Sequence, residues 1–192
     1  MKNNDEDVPQ IQQPNTQKME DALSSFLESS GFDIAHPHLS KTAQRVAQCW
    51  HDDFLDGYKM DATELLGDRY PTKENGLVIV KNIHFHGLCP HHLLPFFGQA
   101  HIVYIPDKWV VGFSRLTELV RCYTHRFTLQ ETATHQIAHA LMDELNARGA
   151  GCVMEATHTC MTLRKGDQQQ SKIMTNLFLG ELQESPPWTQ LL

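Results

Sequence analysis

The first periodic pattern along the chain begins at Thr16 and is helical. Apolar side chains recur there at spacings of three and four residues up to Gly31, so the pattern predicts an amphipathic helix that ends at this glycine. A second helical pattern follows Ser40 or Thr42 as the N-terminal cap and runs to Gly57, which we expect to end that helix. We therefore predict two helices ahead of the first strand.

From residue 76 onwards the apolar positions alternate or form continuous runs, which is typical of strands. The predicted strands are residues 76–85, 98–105, 109–113, 151–162 and 171–179. Two helices are predicted between the third and fourth strands: one follows Ser114, and the other opens with the capping-box pair Thr128 and Glu131 and ends at Gly149. Strands, then helices, then strands predict an α+β fold whose sheet is covered on one face.

These elements divide the chain of 192 residues into four regions. Residues 1–15 are polar, contain two prolines and show no periodicity, so we expect a disordered leader. Residues 16–75 form the predicted N-terminal helical region, residues 76–182 the sheet-and-helix domain, and residues 183–192 a C-terminal tail. The length is sufficient for one hydrophobic core.

Composition narrows the classes of partner. Sixteen basic and 23 acidic side chains give a net charge of −7, which argues against a nucleic-acid binder with a basic face. No apolar run approaches the ~20 residues that span a membrane, and no signal peptide pattern is present. We therefore expect a cytoplasmic protein, in which cysteines near histidines indicate metal binding or catalysis rather than disulfides.

A cluster of metal-binding residue types follows the first predicted strand in the segment HFHGLCPHHLLPFF. Cys89 and His92 are separated by two residues, a spacing that lets both side chains reach one metal ion from a tight loop. His158 and Cys160 alternate in the fourth predicted strand and therefore share a face. We predict zinc on Cys89, His92 and Cys160 with one position open for water. A closed site with His91 or His158 as fourth ligand, or a buried cysteine beside surface histidines, is the alternative.

Four segments resemble the GTP cyclohydrolase I family in their order and spacing. They are VIVKNIHFHGLCPHHLLPFFGQAHIVYIP, VVGFSRL, LQE and ATHTCMTLR, and the similarity covers about residues 40–180. The resemblance implies the tunnelling fold, an antiparallel sheet with two helices on one face in the order β-β-α-α-β-β. It also implies a homo-oligomer, a decamer of two stacked pentamers with active sites at subunit interfaces.

The resemblance assigns a role to each matching position. The family's zinc ligands match Cys89, His92 and Cys160, and its catalytic histidines match His91 and His158. The pair that recognises guanine matches Gln130 and Glu131. Further substrate-binding positions match Ser114, Arg115 and Arg164. The implied activity is zinc-dependent hydrolysis that opens the imidazole ring of GTP at C8 and releases formate. The implied product is dihydroneopterin triphosphate, which belongs to pterin and tetrahydrofolate biosynthesis.

Four positions depart from that pattern. Pro90 stands for a glutamate, Gly87 for a serine, Glu118 for a triphosphate-binding arginine and Thr132 for an arginine. With fewer cationic side chains we expect weaker binding of a triphosphate, so a less phosphorylated purine is an alternative substrate. A non-catalytic zinc- or purine-binding member, another tunnelling-fold enzyme such as a nitrile reductase, and a structural zinc module are the further alternatives.

Overall fold

The computed structural model describes residues 14–163 and 170–191, and most of the predicted leader lies outside this range. The helices are α1 (Thr16–Ser29), α2 (Thr42–Cys49), α3 (Ala62–Gly67), α4 (Phe113–Thr124), α5 (Gln130–Glu144), α6 (Thr159–Thr162) and α7 (Trp188–Leu191). The strands are β1 (Arg69–Pro71), β2 (Val78–Leu88), β3 (Pro95–Ile105), β4 (Trp109–Val111), β5 (Gly149–His158) and β6 (Ile173–Gly180). A π-helical turn (Trp50–Phe54) and a 3₁₀ turn (Asp56–Lys59) follow α2.

The main sheet is antiparallel, and its described strands follow the order β2-β3-β5-β6. Helix α4 packs on β2, and α5 packs on β5 and β6, so both helices lie on the same face. The main hydrophobic core lies between these helices and the sheet. It includes the fully buried side chains of Phe96, Tyr104, Leu116, Ile137 and Met154. The predicted α+β fold with two helices on one face of the sheet is confirmed.

The opposite face of the sheet carries a smaller apolar cluster at one end. Val103 and Val153 point to this face because side chains alternate along β3 and β5. Phe178 of β6 contacts Trp188 of α7 edge-on, with 5.0 Å between the ring centroids, and Leu191 is fully buried. The segment expected to be a plain tail therefore packs partly against the sheet.

Several predicted element boundaries were wrong. The strand predicted over residues 151–162 ends at His158, because the chain turns into α6 there. The second helix does not end at Gly57, which lies inside the 3₁₀ turn. Strand β1 was not predicted, and it pairs with β4 in a separate two-stranded sheet. Its three residues include Arg69 and Pro71, and a proline in so short a polar run argues against a strand in the sequence.

None of the described helices is long and apolar enough to cross a membrane.

Candidate active site

The loop between β2 and β3 is a tight turn in which Cys89 and the two histidines after it differ in solvent exposure. The Cys89 N–H donates to the Leu94 carbonyl at 3.0 Å, and the Leu93 N–H donates to the Cys89 carbonyl at 2.9 Å. Leu93 has a φ of 55°, a left-handed conformation that is unusual for a branched side chain. The turn buries Cys89 and leaves His91 and His92 exposed.

The end of β5 lies beside this loop. Leu88 pairs with Pro95 across β2 and β3, and Phe96 pairs with His158 across β3 and β5. The Thr159 hydroxyl donates to the Pro95 carbonyl at 2.6 Å, which ties α6 to the start of β3. The β2–β3 loop and α6 are therefore at the same end of the sheet, although 64 residues separate Thr159 from Pro95.

The predicted zinc ligands thus come from two segments at the same end of the sheet. The β2–β3 loop carries Cys89 and His92, and α6 carries Cys160. Two thiols and one imidazole suit zinc better than a hard cation such as magnesium. Cys160 lies in α6 rather than in a strand, so the prediction that it alternates with His158 was wrong. In residues 14–163 and 170–191 no three His, Cys, Asp or Glu side chains already form a group that would hold a metal ion. The donor types fit zinc, and the ligand set stays a prediction.

His158 is held between an amide and an aromatic ring. Its Nε2 lies 2.8 Å from Oε1 of Gln130, and its ring stacks on Phe96 at 4.9 Å with an interplanar angle of 11°. Burial lowers the pKa of His158, and the negative charge of Glu131 opposes that shift. A neutral imidazole at pH 7 is able to accept a proton, as a general base requires.

Glu131 is exposed in the first turn of α5. The predicted capping box with Thr128 was wrong, because α5 starts at Gln130 after Leu129 and has no side-chain cap. The Thr128 hydroxyl instead donates to the Leu129 carbonyl at 3.2 Å. The Glu131 carboxylate is therefore not used as a cap, and it lies close enough to His158 to influence its pKa.

Two kinds of comparison with known proteins point to the same family. A family model described as GTP cyclohydrolase I matches residues 19–191. The chain is 40% identical over 169 residues to GTP cyclohydrolase 1 of Ralstonia nicotianae, which covers 88% of this chain and 81% of the relative. It is 42% identical over 166 residues to GTP cyclohydrolase 1 of Wolinella succinogenes, covering 84% and 87% of the two chains. The chain belongs to the GTP cyclohydrolase I family.

A further comparison is with solved structures. The apo crystal structure of an archaeosine synthase QueF-like protein aligns with a TM-score of 0.47 and 17% identity, covering 56% of this chain and 97% of that chain. The order of strands and helices described above is the tunnelling fold of the GTP cyclohydrolase I family.

Two of the further substrate-binding positions predicted for this member of the GTP cyclohydrolase I family lie far from the sheet end with His158. Ser114 and Arg115 are in the first turn of α4, whereas the β2–β3 loop lies beside the other end of this helix, where the Leu88 N–H donates to the Arg126 carbonyl at 3.2 Å. At 1.5 Å per residue the length of α4 separates Arg115 from that loop by roughly 15 Å. Arg164 lies outside the described residues.

Arg115 is already paired with carboxylates of its own chain. Its Nη1 donates to Oε2 of Glu118 at 2.9 Å, and its Nη2 lies 3.7 Å from Oδ2 of Asp68. Both carboxylates, with Glu118 as the larger cause, raise the pKa of Arg115. The position where the family pattern has a cation therefore carries a carboxylate that partly neutralises the remaining arginine.

A second feature of the family member is a cavity of about 870 Å³ along β2. It is lined by His84 and His86 of the strand and by Glu118, Arg121 and His125 from α4 and its C-terminal end. His84 and His86 are two residues apart in β2, so their side chains lie on the same face of the strand and both line the cavity.

His125, which also lines the cavity, is buried. Its Nδ1 lies 2.7 Å from Asp56, and its ring is 4.0 Å from that of His86. Since Asp56 is 69 residues away in the chain, no local pattern signals this pair. Of the cysteines outside the predicted zinc site, Cys49 is exposed, whereas Cys122 and Cys152 are buried.

Proposed function

We propose that this chain hydrolyses the imidazole ring of GTP at C8, with release of formate and formation of dihydroneopterin triphosphate. The observation that carries the proposal is the placement of His158, Glu131 and the Cys89 loop at one end of the sheet, in a chain about 40% identical to proteins named GTP cyclohydrolase 1. This arrangement supplies a proton-transfer group, a carboxylate and metal-binding side chains in one region.

The proposed roles follow from the chemistry of each side chain. Glu131 accepts hydrogen bonds from the ring N–H and the exocyclic amine of guanine, because one carboxylate has two acceptor oxygens. His158 takes up and returns a proton during ring opening, and His91 is a second histidine for proton transfer. Cys89, His92 and Cys160 would hold zinc, which activates water near neutral pH when it is bound.

The metal assignment is tested by zinc content. Purified Cys89→Ser and Cys160→Ser variants are expected to retain less zinc per chain than the native protein, because a hydroxyl is a poor replacement for a thiolate ligand. Cys49→Ser is the matched control, since Cys49 is exposed on α2. Equal zinc content in all four proteins would refute the assignment.

A second substrate, a less phosphorylated guanine compound, is favoured by the pairing of Arg115 with Glu118 and Asp68. A triphosphate must compete with both carboxylates for this arginine, whereas guanosine has no phosphate to be bound there.

Turnover of GTP, GMP and guanosine by the native protein and by Glu118→Gln separates the two substrates. If GTP is the poorer substrate, removing the Glu118 charge is expected to lower the KM for GTP by about tenfold, the worth of one charge-assisted hydrogen bond, and to leave guanosine unchanged. Efficient turnover of GTP by the native protein, with no change in Glu118→Gln, would eliminate this candidate.

We further propose a homo-oligomer, a decamer of two pentamers, for the working enzyme. In the described part of the chain, β2 and β6 are the outer strands of the sheet, and such edges are able to pair with neighbouring subunits. The separation of Arg115 from the His158 region within one chain supports a site completed by a neighbour. Native mass spectrometry tests the assembly, and a monomer under conditions that preserve turnover would contradict it.

A further inference from the structure

Gln130 makes a set of contacts that does not fit a residue waiting for a ligand. Its side chain is fully buried, and Nε2 donates to the carbonyls of Met154 and Ile173, both at 3.0 Å. A third contact joins Nε2 to the Thr175 hydroxyl at 3.1 Å. The amide therefore connects the start of α5 to β5 and β6.

These contacts determine which way round the amide lies. Backbone carbonyls only accept hydrogen bonds, so the group that faces Met154 and Ile173 must be the NH₂. The Gln130 oxygen then faces His158, with 2.8 Å between Oε1 and Nε2. Because an amide oxygen only accepts, His158 must carry its proton on Nε2. The neutral imidazole consequently has its basic lone pair on Nδ1.

The neighbouring threonines complete the same chain of hydrogen bonds. The Thr134 hydroxyl donates to the backbone carbonyl of Gln130 at 2.8 Å. Its oxygen lies 2.6 Å from the Thr175 hydroxyl, which must be the donor because the Thr134 proton is already used. The Thr175 oxygen is then able to accept from Gln130. The two protons of the Gln130 NH₂ are shared among these three acceptors, and a reversed amide would place its oxygen against two backbone carbonyls, so the amide has no second orientation of equal energy.

We propose that Gln130 is a positioning residue, which fixes the ring and tautomer of His158 so that the proton exchanged during the reaction is carried on Nδ1. The catalytic consequence rests on the proposed function, whereas the tautomer is a property of the free protein. The two are therefore tested separately. This role differs from the recognition of guanine that the family resemblance implies for Gln130, and it leaves the adjacent Glu131 as the base-binding carboxylate.

Nitrogen NMR of histidine-labelled protein tests the tautomer without any substrate. The His158 signals are assigned by comparison with His158→Gln. In the native protein we expect a protonated Nε2 and an unprotonated Nδ1 at pH 7.5, and the same pattern in Thr175→Val, which removes one contact of the Gln130 amide and keeps the bond to His158. Gln130→Met has no acceptor, and it is expected to give a mixture of the two tautomers. A native His158 protonated on Nδ1, or a Gln130→Met spectrum identical to the native one, would overturn the proposal.

Steady-state kinetics on GTP tests the catalytic consequence. Loss of a supporting hydrogen bond to a reacting group is expected to lower kcat by about ten- to a hundredfold in Gln130→Met and to leave KM within about twofold. Gln130→Leu also has no acceptor for His158 and is expected to give the same loss of kcat, so it serves if the methionine variant does not fold. A raised KM with an unchanged kcat would assign Gln130 to substrate binding instead. If no GTP is turned over by the native protein, the proposed function fails, and the NMR result still decides the tautomer.

Discussion

At the scale of single residues, the two adjacent side chains at the start of α5 have opposite environments. Gln130 is fully buried and bonded, whereas Glu131 is exposed with its charge close to His158. Adjacent positions in the first turn of a helix point about 100° apart, so one faces the sheet and the other leaves it. A substrate is therefore able to reach Glu131 but not the amide of Gln130.

We expect Glu131→Gln to lower kcat/KM for GTP by roughly ten- to a hundredfold, because one or two charge-assisted hydrogen bonds of about 1.5–3 kcal/mol are lost. Most of the loss should be in KM, since the contact to the base exists before the chemical step. His135→Gln, one turn further along α5 and also exposed, is the matched control. Unchanged kinetics in Glu131→Gln would remove this residue from the site.

At the scale of elements, the 3₁₀ turn after α2 is docked onto the C-terminal end of α4 through Gly57. The Gly57 N–H donates to the His125 carbonyl at 3.1 Å, and the Arg126 guanidinium donates to the Gly57 carbonyl at 2.9 and 3.2 Å. A Cβ at Gly57 would lie 2.7 Å from the carbonyl oxygens of both Cys122 and His125. The glycine is needed for close approach of two backbones rather than for ending a helix.

Gly57→Ala is therefore expected to lower the free energy of unfolding by about 1–3 kcal/mol, the usual cost of forcing an extra carbon into a packed contact. Urea unfolding measures this change. Gly76→Ala is the control, because a Cβ there meets no atom within 4 Å. A loss in Gly57→Ala no larger than in Gly76→Ala would mean that the helical segment is not held by this contact.

The elements that carry long periodic patterns were predictable, and the places where the chain changes direction were not. The alternation in β3 and the helical stripe of α5 come from side chains that all face one core, so local sequence contains the signal. The end of β5 is set by Thr159, whose hydroxyl bonds to Pro95, and the start of α5 follows the burial of Gln130 against β5 and β6. These contacts are distant in sequence and leave no local pattern.

The site was predictable in its residue types and only partly in its arrangement. The Cys89 loop and His158 were found from spacing and resemblance, and the sheet register brings them to one end. Gln130 was identified by resemblance, but its contact with His158 was missed, because the network also needs Thr134 and Thr175, which look like ordinary polar residues in the sequence. Arg115 was identified by its position, but its pairing with Asp68 depends on the docking of the N-terminal helical region.

At the scale of the whole molecule, buried histidines make folding sensitive to acid. Burial lowers the pKa of His101, and burial is also the main cause that lowers the pKa of His125 below the ordinary value of 6.5, despite the opposing contact with Asp56. The unfolded chain therefore binds more protons than the folded one as the pH falls through and below 6.5. The contribution of neutral His101 and His125 to the free energy of unfolding is complete above pH 6.5. It is lost as the pH falls toward the pKa values of these histidines in the folded protein.

We expect urea unfolding to give a lower free energy of unfolding at pH 5.5 than at pH 7.5, and the difference to shrink in His101→Gln. The comparison of the two proteins isolates His101 from the other groups that titrate in this range. Equal stability at the two pH values, or a difference unaffected by the substitution, would contradict the assignment of neutral buried histidines.

The central claim, that this GTP cyclohydrolase I family member opens a guanine ring, is tested most directly by the formate released per GTP consumed. Zinc-loaded native protein is expected to release formate in equal amount to the GTP that disappears, and His158→Ala, which lacks the imidazole, is expected to release none above background. Zinc-loaded protein of native fold that releases no formate from GTP, GMP or guanosine would contradict the account.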